Sequence, residues 1–272
     1  MKIRFWGARG SFVAAGPQFV RYGGNTPCVE LTEGEHRLIF DLGSGAIPLG
    51  RTLPPKNTHV LLSHTHIDHI QGFPFFAPVF NPAAKLVIHG PRGAGKKIER
   101  VLDESLNPDY SPLYSLSNLS AKLDFQHLGE EPLVIDGFDV TSAALPHGRI
   151  VSWGFRVEGE SGTVAYLTDV EYGPHGAPES AVTLARDADL LIHDATYTPD
   201  DYPPRAGWGH CSWEHALTLA ERAGAKKLAL FHHEPDRTDD EVDVIVAMAR
   251  NAAGKGTAII GATEGEAGVV DV

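Results

Sequence analysis

Cysteine and methionine are scarce in this sequence, two of each in 272 residues. Cys28 and Cys211 are too few for a disulfide framework, so a bridge-stapled scaffold is excluded and a reducing compartment is the simpler setting. No apolar run approaches the roughly 18 residues that a membrane span needs. The N-terminal MKIRFWGARGSF has no signal-like apolar core, so a cytoplasmic protein with no membrane partner is expected. Basic residues are outnumbered, 23 against 35 acidic, and the formal net charge is −12. That balance opposes loose binding to long nucleic acid. It does not exclude a small phosphorylated substrate, because bound cations reverse the field locally. No repeat of fixed period and no low-complexity tract is found.

What is present is an ordinary globular composition, 42% hydrophobic and 21% charged. The expected unit is one domain over 1–272. Strands are expected near 1–6, 27–32, 37–41, 59–63, 85–89, 123–127, 138–145, 150–157, 163–167, 188–193, 227–231, 257–260 and 267–270. Helical spacing is found over 93–106 and about 178–186, with 107–120 and 196–209 as loops. Ser212 caps a helix over 213–223. Thr238 with Glu241 forms a capping box for a further helix, which Gly254 would stop. Interleaved strands and helices with antiparallel runs between them make a layered α/β fold with a mixed sheet or two sheets.

The chemistry concentrates in His64-Thr65-His66-Ile67-Asp68-His69, directly after an apolar strand. In extended chain, positions i and i+2 face the same way, so His64 and His66 can grip one cation. A turn into helix would swing Asp68 and His69 toward a second. Imidazole and carboxylate suit zinc, and also manganese or iron. Alternatively the block is a polar helix start with solvated histidines, but burying so much imidazole without metal is costly. His147, Asp169 and His232 each follow an apolar strand; singly each reads as a structural residue, and with the block they read as ligands.

The His-x-His-x-Asp-His block, followed by a lone His, a lone Asp and a C-terminal His, resembles the metallo-β-lactamase superfamily across nearly the whole chain. Leu190-Leu191-Ile192-His193-Asp194-Ala195-Thr196, Gly209-His210-Cys211-Ser212 and Ala223-Gly224-Ala225 resemble its tRNase Z and phosphodiesterase branch. The branch's His-Ser-Thr element departs here at the middle position, Cys211. The resemblance implies an αββα sandwich of two mixed sheets with helices on the outer faces. It implies two divalent ions, zinc first and Mn²⁺ or Fe²⁺ as alternatives. His64, His66 and His147 would hold the first, Asp68, His69 and His232 the second, and Asp169 would bridge them. His233 competes with His232, which is preferred for its step past the strand. Asp41 resembles an acidic residue that supports the metal loops.

The implied reaction is metal-dependent hydrolysis of a small or cyclic nucleotide-type phosphodiester. Asp68 would orient the attacking water, and His210, held by Asp194, would protonate the leaving oxygen. A surface role for His210 is the bland alternative. Arg205, Trp208, Tyr110 and Tyr114 lie in the two long loops as candidate substrate contacts, and Asn25 reads as a turn residue. His36, His59, His89, His127, His175 and His215 are taken as ordinary. The alternatives are a lactonase or thioesterase on the same platform, a tRNA 3′-processing endonuclease, and a non-hydrolytic binding module. A tRNA substrate is disfavoured by the charge and by the lack of a basic, glycine-rich insertion to act as an arm. The only macromolecular partner left open is a second copy of the chain, as a homodimer.

Overall fold

The computed structural model describes residues 1–91, 96–111, 113–173 and 175–272. One sheet is built from β1 (Lys2–Gly7), β2 (Cys28–Glu33), β3 (His36–Phe40), β4 (Asn57–Leu61), β5 (Lys85–Gly90) and β6 (Lys122–His127). The other holds β7 (Leu133–Ile135), β8 (Phe138–His147), β9 (Ile150–Glu158), β10 (Thr163–Leu167), β11 (Leu190–Asp194), β12 (Lys227–Phe231) and β13 (Ala258–Gly261). The last strand, β14 (Val270–Asp271), returns to the edge of the first sheet beside β1. Strand orders are β14-β1-β2-β3-β4-β5-β6 and β13-β12-β11-β10-β9-β8-β7. Each sheet is antiparallel on one side and parallel on the other, the parallel sets being β3-β4-β5-β6 and β10-β11-β12-β13.

Alternation along the strands sorts side chains into three apolar layers. On β3, Leu38 and Phe40 enter the layer between the sheets, while Ile39 enters the layer under the first sheet's helices. On β12, Ala229 and Phe231 face between the sheets, and Leu228 and Leu230 face the other helical layer. Because both faces are covered, these strands read as unbroken apolar runs rather than as alternating ones. The first sheet is covered by α1 (Ala46–Gly50), α2 (Ile67–Ile70), short 3₁₀ turns and α3 (Ile98–Glu104). The second is covered by α4 (Glu179–Ala185), α5 (Trp213–Ala223) and α6 (Asp239–Ala252). This is the expected two-sheet sandwich with outer helices.

Caps set the longer helices. The Ser212 hydroxyl accepts from the His215 N–H and starts α5, which ends at Gly224 with φ +73°. Thr238 and Glu241 form the capping box of α6. That helix stops at Ala252 with Ala253 extended, so Gly254 does not terminate it. Other local expectations shift for physical reasons. The 93–106 helix is seen over Ile98–Glu104, and 93–95 lies outside the described residues. The 107–120 loop carries a 3₁₀ turn at Leu116–Asn118, and Pro112 lies outside the described residues. The 267–270 strand gives way to a 3₁₀ turn at Glu266–Gly268 before β14, since Gly265, at φ +79°, breaks the extended run. β7 has no expected counterpart, being three residues whose pairing partner, β8, supplies the signal. Among the described residues, no helix is long and apolar enough to cross a membrane.

The N-terminal loop is pinned from several sides. Arg9 is fully buried, donates through Nε to Gly23 O at 2.8 Å and pairs with Asp239 at 3.1 Å. Glu264 accepts from the Asn25 N–H at 2.6 Å and from Asn25 Nδ2 at 2.9 Å. Burial lifts the Glu264 carboxyl from 4.5 to about 7, against the Asn25 bonds, which favour its charge. A folded pKa above the unfolded one means that the native state holds the extra proton, so this group's contribution falls as pH rises from 4.5 to about 7. The loss is on the order of 3 kcal/mol. Denaturant titrations of metal-free protein at pH 5 and 7.5 should show Glu264→Gln flattening that decline; equal slopes for both proteins would refute the assignment.

Candidate metal centre

The carboxyl ends of strands from both sheets converge, the usual ligand-binding edge of such folds. β4 runs out through Ser63 and His64, and His66 is the extended N-cap of α2, at φ −63° and ψ 153°. His64 and His66 therefore leave an extended segment side by side, while Asp68 and His69 fall in the first helical turn. His147 is the last residue of β8, paired to Ile150 across a two-residue turn. Asp169 lies two residues beyond β10, and His232 directly follows β12. Asp41, Asp169 and His232 have φ of 59°, 53° and 59°. Left-handed backbone costs a non-glycine residue about 1–2 kcal/mol, and here it turns each side chain off its strand into the shared space.

All seven expected ligands meet. Three sets each present one ligand atom per residue within 4.8 Å of one another, and two of them take up the seven: His64, His66, His147 and Asp169, and Asp68, His69, Asp169 and His232; the third is Asp194, His210 and His232. Asp169 belongs to the first two. Its Oδ1 lies 3.7 Å from His64 Nε2, 3.7 Å from His147 Nε2 and 3.4 Å from His232 Nε2, and its Oδ2 lies 3.1 Å from His69 Nε2. Asp68 Oδ2 is 3.4 Å from His69 Nε2 and 3.3 Å from His232 Nε2. Six of the seven are buried, and His66 stands exposed at the mouth. Nε2 of His64 and of His69 are buried and make no hydrogen bond of acceptable direction, despite the nearby carboxylates. Such orphans cost about 1–3 kcal/mol each. Imidazole Nε2 atoms aimed into a common gap among carboxylates suit a divalent cation.

Electrostatics agree. Burial pushes the His64 ring well below the usual imidazole range, with the facing His69 adding to it. Burial would also lower His69, but Asp169, Asp68 and Asp41 outweigh it and hold this ring well above. Asp169 lies well below the carboxylate range; burial opposes its charge, and His232, His69 and His64 overcome that. Metal-free protein thus keeps a proton on His69. Metal uptake near neutral pH should displace it, so binding heats measured in buffers of different ionisation enthalpy should differ in the sense of proton release.

A supporting layer orients the rings. Asp41, fully buried, accepts from His69 Nδ1–H at 2.9 Å, from the Tyr166 hydroxyl at 2.7 Å and from the Ser63 N–H at 2.8 Å. His147 Nδ1–H donates to Gly209 O at 2.6 Å. His232 Nδ1–H donates to the Thr196 hydroxyl at 3.0 Å, which donates to Asp194 Oδ1 at 2.9 Å. Each bond fixes a tautomer and leaves Nε2 for the centre. Ser11 N–H caps Asp68 Oδ2 at 2.9 Å. A methyl at neighbouring Gly10 would run into the His232 ring. Gly10→Ala should therefore weaken metal retention, by about 10–100-fold if it matches the loss of an orienting partner. Chelator competition reads this, and an unchanged curve would mean the ring has room to yield.

His210 sits against this cluster. Its Nδ1–H donates to Asp194 Oδ2 at 2.8 Å and lies 3.9 Å from Asp169 Oδ1, and its ring stacks on His232 at 4.8 Å between centroids. Burial would lower its pKa, but Asp194 prevails and lifts it to about 9. At neutral pH the ring is a cation with Nε2–H free to donate. The expected Asp194…His210 pair is therefore formed.

His232 rather than His233 faces the centre. His233 is buried with Nε2 on Ala262 O at 2.9 Å, a satisfied core histidine. Asn25 bonds Ser44 and Glu264 and is structural. His59 and His89 bond each other at 3.2 Å, away from the centre. Tyr110 and Tyr114 are exposed, the Tyr110 hydroxyl donating to Glu104 O at 2.8 Å, Arg205 lies over the Tyr197 ring at 5.5 Å, and Trp208 is exposed beside Gly209. Sequence reasoning missed Ser63, Tyr166 and Thr196. Thr196 stood inside a quoted motif, Ser63 ended the strand expected over 59–63, and nothing local marked Tyr166.

A family model described as a beta-lactamase superfamily domain matches residues 37–233. A protein named ribonuclease Z from Halorubrum lacusprofundi is 27% identical over 275 residues, spanning 79% of this chain and 84% of that protein. The solved metallo-β-lactamase fold protein YhfI from Bacillus subtilis superimposes with TM-score 0.74 and 22% identity, covering 99% of this chain and 98% of that one. A diphosphatase of the PhnP family gives TM-score 0.71 and 18% identity over 100% and 97% of the two chains. This fold and these His/Asp clusters together mark a divalent-metal centre. With its two seven-stranded sheets, its metal-binding edge and the match over 37–233, the chain belongs to the beta-lactamase superfamily.

Proposed function

We propose that the protein is a phosphodiester hydrolase for small or nucleotide-type diesters, working with two divalent ions, zinc first. His64, His66 and His147 would hold one ion and Asp68, His69 and His232 the other, with Asp169 within reach of both. Bound there, the ions would supply a water of lowered pKa and a clamp on a phosphoryl oxygen. The chain's own residues do the rest. Asp68, fixed by Ser11 N–H, orients the attacking water. His210 places its Nε2 proton for the leaving oxygen, and Asp194 keeps the ring charged and aimed.

The observation that carries the reading is the Asp194–His210 pair stacked on a ligand of the cluster. A thioester expels a thiolate, which needs a proton donor less than an alkoxide departing from phosphorus does. Supporting it, the relative is named a ribonuclease and one fold neighbour a diphosphatase. tRNA 3′ processing is the second reading, favoured by the relative's name and opposed by the net charge of −12. Lys96 and Lys97 are paired with Glu104 and Glu99. Metal-loaded protein should turn over bis-nitrophenyl phosphate and members of a cyclic-nucleotide panel, and do so faster than a thioester, a lactone or precursor tRNA. Faster turnover of the thioester or lactone would overturn the reading, and faster cleavage of precursor tRNA would select the second.

A further inference from the structure

Glu171 lies two residues beyond Asp169 and outside both ligand sets. Its N–H donates to Pro146 O at 2.8 Å, which ties it to the residue before His147. Its carboxylate reaches the other way. Oε1 accepts from the Gly207 N–H at 2.6 Å and the Tyr202 hydroxyl at 3.1 Å, and Oε2 accepts from the Gly209 N–H at 2.7 Å. Gly207 and Gly209 have φ of 90° and 97°. This backbone is open to glycine and strained for other residues, and two converging amides form a small anion-holding concavity. Glycine is also the residue with most freedom to leave such a shape, so the turn needs a fastener.

What the fastened turn does follows from its neighbours. The Gly209 carbonyl accepts the His147 Nδ1–H at 2.6 Å, and the next residue is His210. One peptide segment thus fixes the tautomer and tilt of a metal ligand and the starting point of the proton donor. We propose that Glu171 is a positioning residue that couples His147 to His210 by clamping the 207–209 backbone between them. The proposal rests on the functional reading above, and one arm of its test does not.

The test is Glu171→Gln. An amide offers one acceptor where the carboxylate offers two and turns an NH₂ toward one glycine N–H, so one clamp bond is replaced by a repulsion. Zinc retention, read by chelator competition without substrate, should fall about tenfold, as for loss of an orienting partner. Turnover of an alkyl diester should fall more than that of bis-nitrophenyl phosphate, because only the former needs a well-aimed His210. Glu171→Asp, which keeps the charge on a shorter arm, should recover part of both. If Glu171→Gln does not fold, Tyr202→Phe removes one of the three donors and should show the same zinc shift at smaller size. A lower melting temperature with an unchanged chelator curve and an unchanged leaving-group ratio would make Glu171 a mere structural clip and overturn the proposal. If the unaltered protein turned over no diester, the functional reading would fail, and the chelator arm would still decide whether Glu171 governs His147.

Discussion

Replacing His210 with alanine is expected to slow hydrolysis of a diester with an alkoxide leaving group by roughly 10²–10⁴-fold, the usual worth of a general acid. A nitrophenolate leaves without a proton, so bis-nitrophenyl phosphate should lose only a few-fold. The contrast follows from where the ring stands. Its Nδ1–H is committed to Asp194 at 2.8 Å, its charge is maintained with a pKa of about 9, and its face is stacked on His232. Asp194→Asn should copy the pattern at lower amplitude, because an amide orients the ring without stabilising its charge. Asp194 also holds His232 through Thr196, so this variant should retain zinc less well, which His210→Ala should not. Steady-state rates on the two esters, with zinc content measured in parallel, check all of this. Equal losses on both esters would remove the general-acid role and leave His210 a packing residue.

Stripping the metal should produce the second large effect. At free concentrations of about 100–1,000 times Kd, each bound ion contributes roughly 3–4 kcal/mol to the folded state. A chain of this size shifts by about 2–4 °C per kcal/mol. Loss of both ions should therefore lower Tm by more than about 10 °C and abolish turnover. Part of the loss is offset, because the empty cluster relaxes by keeping a proton on His69 among Asp41, Asp68 and Asp169. One proton cannot replace two divalent ions, and His64 Nε2 stays without a partner. Asp169→Asn, which touches both ligand sets, should remove most of the metal-dependent part of Tm. Calorimetry with and without chelator measures it. A melting curve indifferent to chelator, with no zinc bound on dialysis, would sink the two-metal centre.

Much of the site was legible. His64, His66, Asp68 and His69 fall within six residues after an apolar strand, and strand and helix periodicity fixes which way each one points. His147, Asp169 and His232 were found by position, each at the end of an apolar run. Asp194 and His210 came through resemblance rather than spacing, since nothing in the 15 residues that separate them predicts a 2.8 Å contact. The supporting layer was not legible. Tyr166 reaches Asp41 from the opposite sheet, and Glu171 reaches a turn 36 residues away. The first contact depends on how the two sheets face each other and the second on how the loops after β10 and β11 fold together, neither of which a local pattern encodes.

The sequence by itself determined the longer strands and helices, the ligand types and the end of the strands at which they gather, because those follow from side-chain period and from the chemistry of imidazole and carboxylate. The tertiary structure decided which atoms meet. His232 was chosen over His233 by one left-handed residue after β12, which turns one ring to the centre and leaves the next on Ala262. Asp169 became the shared carboxylate because the loop after β10 brings it within 3.7 Å of His64 and 3.1 Å of His69, which follow β4 in the other sheet. Such choices turn on φ at single positions and on the packing of one sheet over another, and these are fixed only when the whole apolar core has closed.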